Sequence, residues 1–175
     1  MRTFKKFGGE QIYDVGEYLR NYIKQNPNIV IMVGCDSLQL RKKTQYAISV
    51  CLRHPGNGVH VIFYRETVDK IKDFWTRLWG EVERSLEIAE YLETELNGHY
   101  KRFEMNELKN LGFETHQNKL IDIHLDINSV PGLNKKNKSN QLYQASTSYL
   151  KGMGYRVYAK PDSPAATYSA DLLCR

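Results

Sequence analysis

The chain has 175 residues, 41% of them hydrophobic and 26% charged, with a formal net charge of +5. That length can bury a core as a single domain, residues 1–175, and the composition excludes a disordered chain. No apolar run approaches the ~20 residues of a bilayer span, and Cys35, Cys51 and Cys174 share no metal or disulfide spacing, so a cytoplasmic, reducing setting is expected.

The N-terminal "MRTFKKFGGE" has no apolar signal core. Residues 10–25 place Ile12, Val15, Leu19, Tyr22 and Ile23 at helical spacing, and Pro27 stops this accessory helix. "NIVIMVGCDS" follows, a continuous apolar run that suits a central strand covered on both faces. "TQYAISVCLRH" and "GVHVIFYRET" read as two further strands, joined by the turn residues of "HPGNG". These three should form an antiparallel meander. From Asp69 to Leu96 the period becomes 3.6, with a stripe through Trp75, Leu78, Trp79, Val82, Leu86, Ala89 and Leu92. A short helix is expected near 104–111.

"KLIDIHLDINS", residues 119–129, alternates strictly, with Ile121, Ile123, Leu125 and Ile127 on one face. Asp122, His124, Asp126 and Asn128 fall on the other, as a pleated strand requires. Next come a polar loop, a helix from the cap Ser139 to about Lys151, and the strand "YRVYAKP". "DSPAATYSADLLC" reads as a last helix capped by Asp162 or Ser163, with Pro164 in its first turn.

A meander followed by two right-handed crossovers predicts an α/β fold with a five-stranded mixed sheet. Its strand order is 3-2-1-4-5, with helices on both faces. The alternating strand is then central, and Asp36, Asp126 and Asp162 converge on one rim. Clustered carboxylates repel and need a positive partner, and hard Mg²⁺ or Mn²⁺ with oxygen ligands is the usual one. Two such ions ~4 Å apart can clamp an in-line phosphoryl displacement.

This element order, with "VGCDS", "LDIN" and "KPDSPAATYSAD", resembles the YkuK-like ribonuclease H-like family. The resemblance runs from about Val30 to Cys174 and includes the preceding helix. It implies a metal-dependent endonuclease in which Asp36, Glu83, Asp126 and Asp162 hold two Mg²⁺ or Mn²⁺ ions. Products would carry a 3′-hydroxyl and a 5′-phosphate. Asp162 matches the Asp-x-x-Ala-Ala start of the last helix in related resolvase-like nucleases, with Asp171 further along that helix as the alternate. "E-x-S-L" at 83–86 resembles the family's glutamate position, although Glu81, Glu87 and Glu90 share the helix.

His124 shares the face of Asp126 and is either an auxiliary to substrate or water or a hydrogen-bonded core histidine. Asp122, ~13 Å back along the strand, is expected at the opposite, solvated rim. Lys135, Lys136 and Lys138 follow the acid-bearing strand, and Lys42 and Lys43 lie in the first hairpin. Each is either loop charge in water or a phosphate contact to a polyanion such as RNA, RNA–DNA hybrid or a DNA junction. The expected function is therefore a two-metal nuclease. Its rivals are a nucleic-acid-binding module that lost the chemistry and a protein-interaction scaffold.

Overall fold

The computed structural model describes residues 3–100, 119–129 and 139–174. The short helix expected at 104–111 and the loop with Lys135, Lys136 and Lys138 lie outside the described residues. Two strands, β1 (Phe4–Lys6) and β2 (Gln11–Ile12), precede helix α1 (Val15–Gln25). Strands β3 (Val30–Gln39), β4 (Lys43–Arg53) and β5 (Val59–Asp69) form the meander. Helix α2 (Phe74–Glu95) follows, capped by Asp73, whose Oδ2 accepts from the Thr76 amide and hydroxyl. Then come β6 (Asp122–Asn128), α3 (Asn140–Gly152) and β7 (Arg156–Lys160). A π-helical stretch, Ala165–Ala170, runs into the short helix α4 (Asp171–Cys174).

The sheet has seven strands in the order β2-β1-β5-β4-β3-β6-β7, which corrects the five-stranded 3-2-1-4-5 sheet expected from sequence. The meander and the two parallel strands keep that relative order, and an N-terminal hairpin extends the sheet past β5. Residues 10–14 are correspondingly not helical. Asp14 caps α1 instead, its carboxylate accepting from the Glu17 amide at 2.8 Å. Strands of three and two residues are too short to show a period, so pairing selects them, β1 on the β5 edge and β2 on β1.

Alternation sorts β3 and β6 into two faces. Ile31, Val33 and Cys35, with Ile121, Ile123, Leu125 and Ile127, join the main core that also holds Val82, Leu86 and Ala89 of α2. Met32, Gly34 and Asp36, with Asp122, His124 and Asp126, face the opposite side, where the C-terminal helical segment packs. The polar face of β6 is therefore covered, and each group on it needs a partner. Asp122 is 2% exposed, and its Oδ1 accepts from Arg156 Nε at 2.8 Å. This corrects the solvated rim expected for it. Arg156 stands directly opposite Asp122 in the parallel register, so the acid is buried as half of an ion pair.

Close approach of the C-terminal segment depends on Gly34. A Cβ there would lie 2.4 Å from the Ala166 amide nitrogen and 2.6 Å from the Ala165 carbonyl carbon. Both contacts are backbone, so neither can rotate away. Gly34→Ala is expected to lower the unfolding free energy by about 2–3 kcal/mol, read by urea denaturation. An unchanged midpoint would show that the segment shifts without cost.

Candidate carboxylate site at the sheet rim

Asp36 and Asp126 sit near the C-terminal ends of adjacent parallel strands, one position beyond the Cys35–Leu125 pair in register. Both point to the face of the C-terminal segment. Asp36 Oδ1 accepts from the Ser37 amide at 2.8 Å. Asp126 Oδ1 pairs with Lys160 Nζ at 2.6 Å and accepts from Thr167 Oγ1 at 3.1 Å. Lys160 ends β7, and Thr167 lies in the π-helical stretch, so three elements meet at this carboxylate.

The helical acid at this rim is Glu81. It is 4% exposed, and its Oε1 accepts from Ser37 Oγ at 2.5 Å. Ser37 Oγ in turn accepts from Arg77 Nη1 at 2.5 Å, and Arg77 Nη1 lies 3.6 Å from Glu81 Oε1. Ser37 follows Asp36 directly, so this relay ties the two acid-bearing elements together. Glu83, the residue singled out from sequence, is exposed, and its Oε1 accepts from Trp79 Nε1 at 3.1 Å. The structure thus brings Glu81 rather than Glu83 to Asp36. With about 100° per residue, two positions along α2 turn a side chain to nearly the opposite side. The signal that could have found Glu81 is Arg77, one turn before it on the same helical face.

The two acids of the C-terminal region, Asp162 and Asp171, stand in different places. Asp162 is exposed and lies with Tyr158 and Tyr168 around a separate hollow. It does not cap the last helical segment, whose first residue follows Pro164 without a side-chain cap. Asp171, the alternate, is half-buried and close enough to act electrostatically on Asp36. Thr167 and Asp171 are four residues apart, which presents both to the rim.

Electrostatics bind these groups into one cluster. Asp36 is pushed up to about 6, first by burial and then by the charges of Asp126 and Asp171, while the Ser37 amide and Lys160 act against the shift. Glu81 is raised well above the usual carboxylate range, again first by burial and next by Asp36. Four carboxyls, Asp36, Glu81, Asp126 and Asp171, therefore share one field with Lys160 and Arg77.

A model of the ribonuclease H-like family matches residues 14–175. The chain belongs to the ribonuclease H-like family. The matched span begins after β1 and β2, so the two added strands lie outside the region that carries the resemblance. Comparison with characterised proteins and with solved structures finds no match.

A ribonuclease H-like fold is generally divalent-metal dependent, and the donor set here can be tested for that use. Its chemistry fits a hard cation, since every donor is a carboxylate oxygen and two of the four acids hold raised pKa values. Among the described residues, however, no three His, Cys, Asp or Glu side chains stand at metal-holding spacing. Cation binding at Asp126 therefore requires that acid to share or release its pair with Lys160.

The remaining candidates divide by position. His124 is 3% exposed, with Nδ1 3.4 Å from the Ala165 amide and its ring 5.1 Å from that of Tyr158. It belongs to the packed face beneath the C-terminal segment rather than to the open rim. Lys42 and Lys43 lie beyond Asp36, at the hairpin that ends β3. Lys43 Nζ pairs with Asp69 at 2.7 Å, whereas Lys42 is exposed. Among the described residues, no helix is long and apolar enough to cross a membrane.

Proposed function

We propose that the protein is a divalent-metal-dependent nuclease acting on RNA, RNA–DNA hybrid or structured DNA. The observation that carries this reading is the meeting of Asp36, Glu81, Asp126 and Asp171 at the C-terminal rim of adjacent central strands. Asp36 and Asp126 would hold the ions, two Mg²⁺ or Mn²⁺, with Glu81 and Asp171 completing the oxygen donors in place of Glu83 and Asp162. When bound, these ions supply an activated water and charge stabilisation on the leaving oxygen. Asp126 is held in place by Thr167, and Glu81 by Ser37, so the chain's own contacts orient the donors before substrate arrives. Lys160 supplies positive charge at the same rim, suited to a scissile phosphate once Asp126 is shared. Lys42, with Lys135, Lys136 and Lys138 outside the described residues, would extend that charge along the backbone of a nucleic acid.

A second reading is a nucleic-acid-binding module without catalysis. It is favoured by the 2.6 Å pair between Lys160 and Asp126, in which the cluster draws countercharge from the protein itself. Metal dependence separates the two. Cleavage of labelled RNA and hybrid substrates is expected with Mg²⁺ or Mn²⁺, to vanish with EDTA, and not to return with Ca²⁺, whose looser coordination fails the transition state. Undiminished cleavage in EDTA would exclude the metal mechanism. Binding without cleavage under every metal would favour the module.

A further inference from the structure

Two hollows of 550 and 440 Å³ share Met32, Arg53, Pro164 and Tyr168, and so form one groove. It lies on the same sheet face as the carboxylates but towards the opposite end of β3. One end is bounded by β6 and β7 and the other by the β4–β5 hairpin. His124 lines it two residues before Asp126, ~7 Å along the strand.

The lining has a definite chemistry. Tyr168 is 69% exposed and Tyr158 36% exposed, while His124 stands behind Tyr158 with their rings 5.1 Å apart. Exposed aromatic faces in a concave site are unfavourable in water and ready to be covered. Arg53 is exposed on the groove wall, and no carboxylate among the described residues pairs with it. Two carboxylates also line the hollow: Asp122 is paired with Arg156, and Asp162 is exposed at the Tyr158 and Pro161 end, so a phosphate is placed on the Arg53 wall and the aromatic faces are left to a planar heterocycle. Tyr168 also adjoins Thr167, the residue that holds Asp126, so one short segment touches both regions.

We propose that this groove, where Tyr168, Tyr158 and Arg53 surround a space of 550 Å³, binds an unpaired base of a single-stranded nucleic acid. The inference rests on the nucleic-acid reading above but not on cleavage. Single strands are the occupants because a base inside a duplex has both faces stacked and cannot enter without being flipped out. Met32 in the groove stands four residues before Asp36 on β3, ~13 Å along the strand, so a base seated there and a phosphate at the rim would lie about two nucleotides apart on one strand.

The test is fluorescence anisotropy in EDTA, with a short labelled oligothymidylate and a blunt duplex of equal length. Tyr168→Ala is expected to weaken single-strand binding by about 5- to 100-fold, while Tyr168→Phe, which keeps the ring, stays within about twofold. Duplex affinity should not respond to either change. Arg53→Ala should lower the salt slope of single-strand binding by about 0.7. Thymidine monophosphate should compete only weakly, because it lacks the neighbouring phosphates. Tyr168 is exposed, so its replacement leaves the core intact. Equal single-strand affinity for Tyr168→Ala and wild type, an equal loss on duplex, or tighter binding of the free mononucleotide would each overturn the proposal. A protein that binds through Tyr168 yet never cleaves with Mn²⁺ would sink the nuclease reading and leave this groove standing. Cleavage with an affinity indifferent to Tyr168 would do the reverse.

Discussion

Asp36→Asn and Asp126→Asn are each expected to reduce turnover by about 10²- to 10⁴-fold, the loss of several kcal/mol of charge stabilisation at the reacting phosphate. Asn keeps the shape and removes the charge, so folding should survive. In the absence of metal, Asp36→Asn should even stabilise the protein. The folded-state pKa of Asp36 is about 6, against an ordinary value of 3.8, so the folded chain keeps a proton that the unfolded chain releases. Stability is therefore lost as pH rises from about 4 through about 6, and the full penalty applies above that window. Asp36→Asn removes it, with an expected gain of about 1–2 kcal/mol at pH 7.5 and almost none at pH 3.5. Melting in EDTA at the two pH values reads the difference. An equal effect at both would show that burial and the neighbouring acids do not raise this carboxyl, and unchanged turnover would remove it from the chemistry. Asp122→Asn, on the same face of β6 as Asp126, is expected to act on stability instead. It would break a buried pair with Arg156, at a cost of about 3–5 kcal/mol.

The second large effect separates two glutamates that lie on one helix. Glu81→Gln is expected to lower turnover by about 10²-fold or more, because the side chain can still accept from Ser37 while its charge at the rim is gone. Glu83→Gln should stay within about twofold, as expected for an exposed group away from the site. Single-turnover cleavage at saturating Mn²⁺ reads the chemistry apart from product release. Isothermal titration with Mn²⁺ supplies a readout independent of cleavage, with weaker uptake by Glu81→Gln and unchanged uptake by Glu83→Gln. The opposite ranking would return the helical role to Glu83. Equal and small effects would mean that α2 contributes no ligand.

Much of the frame is legible in the sequence because its causes are local. The alternation of "KLIDIHLDINS" sets two faces for β6, and the 3.6 period sets the buried stripe of α2. Once the meander and the two crossovers are read, Asp36 and Asp126 must end neighbouring parallel strands. Other positions depend on partners far along the chain. Asp122 looks like a solvated rim acid until the register sets Arg156, 34 residues later, opposite it. Strands β1 and β2 carry no period of their own: β1 pairs along the edge of β5, and β2 in turn along β1.

Residue order and hydrophobic period by themselves determined the sheet's central strands, the faces of β6 and the rim positions of Asp36 and Asp126. Only the tertiary structure decided which further acids join them. The rotation of α2 about its axis is set by packing and by the Arg77–Ser37–Glu81 relay, and because Glu81 and Glu83 point to nearly opposite sides of the helix, that rotation decides which of them faces the rim. At the C-terminal segment the π-helical stretch seated on Gly34 ends at Asp171, which acts on Asp36, while Asp162 lies before that stretch and is exposed. Periodicity specifies which face of an element is apolar. Where a polar side chain ends up depends on how that element is rotated and shifted against the sheet, and long-range contacts alone set those two quantities.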